Sequence, residues 1–249
     1  MLDKTLLKGL LVIEELASSA KPRGVSEMAR KLNMSKTSMH RLLQTLASKR
    51  YVAQDEDGTG YHLTMRLWEI SAQVTSRIDV KRVGGTYLRR LADKTGESAH
   101  MTVLEGSEVV YIDKIDSRQP LRAFTPIAGR APAYCVATGK ALLACQTEEF
   151  VDQLEGRLKP FTKFTITSLI KLRRDLKDAR RLGYAVNHCE WRDDICSIGA
   201  VVYDVSGSPI AGIVVSGPVQ RLQPKAITRI GPLFRETASS ISRELGFRD

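Results

Sequence analysis

The sequence predicts an α/β protein of two domains, a small winged helix-turn-helix at the N-terminus and a larger mixed α/β domain behind it. Three observations carry this. Two short helical patterns meet at a tight turn near Asn33-Met34, two short β-patterns around a glycine-containing loop follow, and from Ser98 onward strand-like and helix-like stretches alternate. A length of 249 residues with 43% hydrophobic content suits one small and one medium core. The expected divisions are residues 1–66 for the first domain, 67–79 for a linker helix and 80–249 for the second domain.

Leu6, Leu10, Ile13 and Leu16 recur at helical steps, so an amphipathic first helix is expected, broken by Lys21-Pro22-Arg23-Gly24. Ser26 is placed to cap a second helix carrying Met28, Ala29 and Leu32, and Ser35 to cap a third. That third helix, residues 35 to about 49, is the most informative segment. At roughly 100° per residue, Met39, Leu42, Leu43 and Leu46 share one side. Lys36, Thr37, His40, Arg41 and Gln44 fall opposite, and no carboxylate occurs between Ser35 and Arg50. Phosphates demand Lys or Arg, base edges demand forked or amide groups such as Arg and Gln, and small Ser and Thr permit close approach. Alone, such a helix is ordinary amphipathic surface. The helix-turn before it makes it a candidate DNA-reading helix, with Ser35, Lys36, Thr37, Ser38, His40, Arg41 and Gln44 as candidate contacts.

Tyr51-Val52-Ala53-Gln54 and Tyr61-His62-Leu63 read as strands around Asp55-Glu56-Asp57-Gly58-Thr59-Gly60, the expected wing. Its three acidic residues match phosphate poorly, which leaves Tyr61 and Thr59 as the wing's candidates. The stretch from Leu67 through Trp68, Ile70, Ser71 and Val74 to Ile78 is helix-compatible and free of Gly and Pro, as a rigid connection requires. A further helix carrying Val83, Leu88 and Leu91 ends at Gly96. Residues 98–104 and 108–115 read as paired strands around Glu105-Gly106-Ser107. Helices are expected over 133–144 and 167–182, with Gly183 ending the second. The basic run Lys171, Arg173, Arg174, Lys177, Arg180, Arg181 rides over Leu169, Leu172, Leu176 and Ala179, the pattern of a solvated face rather than a second DNA contact. Residues 198–203 and 210–216 flank Asp204-Val205-Ser206-Gly207 as a hairpin of central strands, before a last helix over 224–245.

The 38 Lys and Arg against 28 Asp and Glu leave a charge of +10, which suits a polyanionic partner, either nucleic acid or an anionic membrane surface. No apolar run approaches the roughly 20 residues that span a bilayer. Asp3, Lys4, Lys8, Glu14 and Glu15 among the first leucines are unlike a signal peptide, so a soluble cytoplasmic protein with no membrane partner is expected. Cys135, Cys145, Cys189 and Cys196 form no C-x-x-C pair and suit reduced thiols; His188-Cys189 with Cys196 lacks the second ligand pair that structural zinc requires.

With these elements in order, the runs Ser35-Lys36-Thr37-Ser38-Met39-His40-Arg41-Leu42-Leu43-Gln44-Thr45-Leu46, Gly129-Arg130-Ala131-Pro132 and Ala137-Thr138-Gly139-Lys140-Ala141-Leu142-Leu143-Ala144 become informative together. So do Gly183-Tyr184-Ala185, Asp204-Val205-Ser206-Gly207 and Val215-Ser216-Gly217-Pro218. Through them the chain resembles the IclR family of bacterial transcriptional regulators over nearly its whole length. Tyr51-Val52-Ala53-Gln54 and the run from Val110-Tyr111 to Asp116-Ser117 are similar in particular to the keto-deoxygluconate repressor branch. The resemblance implies a GAF-like effector domain that binds a small organic acid or similar metabolite. It also implies a homodimer, with dimers often paired into tetramers, holding two heads on a palindromic operator in double-stranded DNA. By position, it places the effector site at Ala137 and Thr138 on a helix start and at Asn187, Ser197, Val214 and Ser216 on facing strands. Three of these depart from the family's acid binders: Asn187 stands where Asp can occur, Ser197 where Cys can, and Val214 where Ser can.

Independently of the resemblance, the opening N–H groups of a helix containing Ala137 and Thr138 would suit a carboxylate. Arg122 and Arg130 bracket that approach in sequence, although a loop arginine is ordinarily plain surface. Thr138, Asn187, Ser197 and Ser216 are short polar groups among apolar neighbours, as in a pocket that orients one polar ligand, or equally as in structural caps and turns. Two other readings stay open at this level. One is an enzyme built on His188, Cys189, Glu190, Asp193, Asp194 and Cys196, which no G-x-S-x-G, P-loop or metalloprotease motif accompanies. The other is an architectural DNA binder without a ligand, which leaves the α/β domain without a role. No catalytic residue, cofactor or metal is expected.

Overall fold

The computed structural model describes residues 3–75 and 79–248, with side chains over 3–70 and 80–248, and divides at residue 78 into two compact units. In the smaller unit, helix α1 (Lys4–Ala17) begins where the Asp3 carboxylate accepts the Thr5 and Leu6 N–H groups at 2.8 and 2.9 Å. Its buried residues are Val12 and Leu16, while Leu6 and Leu10, expected on the inner face, are 65% and 49% exposed. The helix is leucine-rich around most of its circumference, so spacing did not choose the inward side; packing against the next helices did. Helix α2 (Val25–Lys31) starts two residues earlier than expected: Gly24 is its N-cap, and Ser26 lies inside the first turn without capping it. A left-handed residue, Asn33 at φ 51°, then reverses the chain into α3 (Lys36–Ser48), capped by the Ser35 hydroxyl accepting Ser38 N–H at 3.2 Å.

Strands β1 (Val52–Gln54) and β2 (Tyr61–Leu63) pair antiparallel, Val52 opposite Leu63, and Arg23 adds a bridge to Tyr61 through two 2.9 Å backbone hydrogen bonds. That bridge draws the Tyr61 ring into the core with Met28, Met39, Leu43 and Val52, which removes Tyr61 from the wing's candidates. Helix α4 (Arg66–Thr75) covers the described part of the expected connecting helix; Ile78, its expected end, lies outside the described residues.

In the larger unit, α5 (Asp79–Thr95) leads into β3 (Ser98–Glu105) and β4 (Glu108–Ile115), joined by a tight turn with Gly106 at φ 58°. Then come β5 (Arg130–Pro132), a 3-10 turn at Ala133–Cys135, α6 (Ala137–Leu143), α7 (Glu148–Asp152) and α8 (Leu169–Leu182). Strands β6 (Ala185–His188), β7 (Ile195–Tyr203) and β8 (Pro209–Pro218) precede α9 (Pro224–Glu244). The six strands form one antiparallel sheet in the order β5-β4-β3-β8-β7-β6. One sheet face takes α5, and Gly84 of that helix leaves room for Met101. The other takes α6, where Gly199 and Gly212 let the helix sit directly on β7 and β8: a Cβ on either would come within 3.0 Å of Thr138.

The single helix expected over 133–144 is interrupted. Val136 is extended at φ −126°, ψ 147°, and Gly139 folds against Ala133 so closely that a Cβ there would lie 2.1 Å from the Ala133 carbonyl oxygen. No described helix is long and apolar enough to cross a membrane.

Candidate nucleic-acid interface and ligand cavity

On α3 the side chains divide as the wheel predicts. Met39 and Leu43 are buried with Leu42 and Leu46 packed beside them, and Lys36, Thr37, His40, Arg41 and Gln44 are exposed. Ser35 is exposed but its oxygen serves the helix cap, and Ser38 is half-buried. The exposed face therefore offers two fixed cations and a Gln amide with no acid beside them. In the wing, Asp55 is directed inward: it accepts Thr59 N–H at 2.8 Å and Gly60 N–H at 3.0 Å, and the Gly60 and Thr59 donors hold its carboxyl below the ordinary range. This closes the hairpin and ties up one of the three acids. Thr59 shares that contact, while Glu56 and Asp57 stay exposed at the tip and keep it unsuited to phosphate.

Strand register puts Asn187, Ser197, Ser216 and Ser98 in one row across the sheet, with Val214 opposite His100 in the next, all on the face that carries α6. A register shift between Met101 and Thr102 brings Tyr111 opposite Thr102, which turns the Tyr111 ring onto this same face. Asn187, Ser197, Val214 and Ser216 line one cavity of about 500 Å³ together with Tyr111 and Val136. Arg122, Phe124, Arg130, Trp191, Arg192 and one acid, Asp194, are among the residues of its wall. The loop above it is pinned below: Ser98 Oγ accepts Ser117 N–H and donates to the Ala123 carbonyl, each at 3.1 Å, and Arg221 reaches the Leu121 carbonyl at 2.8 Å.

Ala137 and Thr138 do not share that wall. Both are wholly buried, and the Thr138 side chain is wedged against Gly199 and Gly212; the cavity reaches the start of α6 only at Val136. The reason is the break at Val136, which turns the first helical side chains down onto the sheet. Arg122 and Arg130, which bracket the approach in sequence, both line the cavity, but Arg130 is already held by Glu105 and Glu108.

The orientation of Asn187 decides what the cavity floor offers. Its Oδ1 accepts the Glu190 N–H at 2.7 Å and its Nδ2 donates to Ser197 Oγ at 3.2 Å. A backbone N–H can only be met by an acceptor, so the amide's NH₂ end is the one turned toward the serine and the cavity. Glu190 is itself held by Lys140, whose Nζ lies 2.7 Å from Glu190 Oε1. The same Nζ lies 2.6 Å from Asp175 Oδ2, an ion-pair distance whose angle falls short of a hydrogen bond. Lys140 is 1% exposed. Burial pushes the Glu190 carboxyl up, against the opposing pull of Lys140. Of the cluster considered for an enzyme, Glu190 supports Asn187, Cys189 and Cys196 face each other with sulfurs 3.4 Å apart, and Asp194 lines the cavity. Among the described residues no group of three or more His, Cys, Asp or Glu side chains could hold a metal.

Sequence reasoning missed His100 and Tyr111. His100 is fully buried beside Val214, with neither ring nitrogen hydrogen-bonded to a described residue, its ring edge-on to Tyr111 at 5.5 Å. Burial drives its pKa down to about 4, so it is neutral at pH 7. A histidine within a strand whose partner position is unknown carries no such signal.

The chain matches the family described as IclR helix-turn-helix domain over residues 5–56 and the one described as Bacterial transcriptional regulator IclR C-terminal over residues 72–243. It is 33% identical over 247 residues to the HTH-type transcriptional repressor AllR of Klebsiella pneumoniae, covering 98% of this chain and 91% of that protein. To the HTH-type transcriptional regulator KdgR of Escherichia coli K12 it is 34% identical over 228 residues, covering 91% and 87%. The crystal structure of the Thermotoga maritima IclR superposes with a TM-score of 0.82 at 30% identity, covering 98% of this chain and 99% of that one.

Proposed function

Since this chain belongs to the IclR family of bacterial transcriptional regulators and is itself a DNA-binding regulator, we propose that α3 reads its operator and that the cavity above β7 and β8 binds the effector that modulates it. The observation that carries the second half is convergence: Asn187, Ser197, Val214 and Ser216, far apart in the chain, share one cavity of about 500 Å³. Its floor offers an amide NH₂ and two hydroxyls, and at its wall Arg122 and Arg192 outnumber the one acid, Asp194. Such donors select an acceptor-rich, anionic molecule, which fits a small organic acid or sugar acid. Ala137 and Thr138 are not part of this effector site; their place in it is taken by Val136.

The working unit is a homodimer, or a pair of dimers, on a palindromic operator. Leu6, Leu7, Leu10 and Leu11 are all more than one-third exposed along one side of α1, and an uncovered leucine face on a small domain favours burial against a second copy. Sedimentation velocity at micromolar concentration is expected to find no monomer. A monomeric species that still protects a palindromic site would overturn the dimer. The protein acts in the cytoplasm, where its DNA lies.

Effector sensing is tested with Val214→Phe, which projects a ring from the cavity floor. A thermal-shift panel of small carboxylates and sugar acids identifies a stabilising compound for the parent protein. The variant is expected to lose that stabilisation and the compound's effect on operator affinity, while its ligand-free operator affinity stays within about threefold of the parent's, as rearrangement of the heads alone requires. An unaltered response in Val214→Phe would move the effector site elsewhere.

A further inference from the structure

We propose that the α/β domain carries a second ligand site, for a small carboxylate with a flat apolar body, in a cavity of about 470 Å³ at the far end of α6 from the effector cavity. The space exists because of how the sheet ends. Strand β6 stops at Ala185, opposite Gly199, so residues 200–203 of β7 form an edge that no strand covers. Val201 and Tyr203 on that edge line the cavity. The helices that close over it do so with small residues, Ala141 from α6 and its C-cap Ala144, Ala179 from α8 and Ala238 from α9, where larger side chains would have filled the gap.

Charge and shape narrow the occupant. The cavity's described lining contains two arginines, Arg180 and Arg235, and no carboxylate. Arg180 donates its Nε to the Ala144 carbonyl and lies 3.4 Å from Glu148, so it is partly committed. Arg235 runs along Gly183, where a Cβ would come within 2.9 Å of its Cδ, and no described carboxylate lies within ion-pair distance of it. Tyr184 also lines the space, and the Cys145 thiol and Tyr203 hydroxyl, which stand 3.2 Å apart, are neutral, both pushed up by burial. The site is therefore positively charged and half-enclosed, which favours an anion, and guanidinium geometry favours a carboxylate. Tyr203 stacks on Phe247 with ring centroids 5.4 Å apart and 27° between planes, a flat wall that suits a planar ligand body. This site is independent of the effector reading: the effector cavity meets α6 only at its N-cap, Val136, and this one only at its C-terminal end.

The test uses 4-fluorobenzoate as the probe and fluorine NMR on the full-length protein. The background is Val214→Phe, whose ring intrudes on the first cavity, and the variants of the second cavity assign whatever binding remains. Saturable binding is expected in that background, and 4-fluorobenzamide, equal in shape but uncharged, is expected to bind about tenfold or more weakly, as loss of a charge-assisted contact implies. Arg235→Gln is expected to weaken 4-fluorobenzoate by a similar factor, and Ser239→Phe, which plugs the cavity from the half-buried side of α9, to abolish binding. Arg235 is exposed and Ser239 half-buried, so both variants are expected to keep the parent's melting behaviour. Absence of saturable binding, equal binding of the benzamide, or indifference to both substitutions would each overturn the second site. None of those results bears on whether Val214→Phe abolishes the effector's influence on DNA.

Discussion

Replacing Lys140 with methionine is expected to lower the unfolding free energy by about 3–5 kcal/mol, the cost of stranding a buried charge. Lys140 is 1% exposed and its ammonium is the cation that faces Glu190, itself nearly buried, at 2.7 Å. Methionine fills the stem's volume and removes only the charge, so the loss measures the stranded carboxylate rather than a hole. The damage is expected to depend on pH. The Glu190 carboxyl is already raised by burial, and it rises further without the ammonium. The folded variant then takes up a proton that the unfolded chain does not hold near neutrality, so its stability grows as pH falls, and the gap to the parent narrows between about pH 7 and pH 5. Because Glu190 N–H holds Asn187 Oδ1, the variant is also expected to bind effector more weakly. Urea denaturation at the two pH values decides the point: a cost under about 1 kcal/mol, or a gap that widens on acidification, would mean that the ion pair is not what holds this region.

Arg41→Ala is expected to weaken operator binding by about 1–3 kcal/mol, roughly 5- to 150-fold, and to relax discrimination against unrelated DNA. Arg41 stands mid-way along the exposed face of α3 beside Gln44, where a forked donor reaches a guanine edge. Lys36 lies in the first turn, where phosphates come closest. Lys36→Ala is accordingly expected to weaken specific and nonspecific DNA alike and to flatten the salt dependence. Titrations of operator and scrambled duplex at two fixed salt concentrations separate the two roles. A specificity ratio unchanged in Arg41→Ala would mean that another face of the helix reads the bases.

The sequence by itself determined the elements whose signals are local. Helix α3 was legible because its apolar residues recur at 3.6 while a carboxylate-free face lies opposite, and because Ser35 carries its own capping chemistry. The turn at Gly106 and the stop at Gly183, at φ 75°, were legible because positive φ favours glycine. The run from Ser35 to Leu46, together with the shorter runs at Gly129, Ala137, Gly183, Asp204 and Val215, indicated the family. What tertiary structure alone decided depends on neighbours distant in sequence. Which side of leucine-rich α1 turns inward, whether Tyr61 faces DNA or the core, and where the helix over 133–144 breaks all follow from packing partners that periodicity does not name. The same holds for the ligand site. Asn187, Ser197, Val214 and Ser216 meet only because three strands align in register, and Tyr111 joins them only because the β3–β4 ladder slips by one residue. Thr138, by contrast, is carried away from the cavity by the two glycines beneath it. The physical reason is common to all of these cases: a side chain's helical or strand propensity is set within a few residues, whereas its burial and hydrogen-bond partners are set by the sheet that assembles around it.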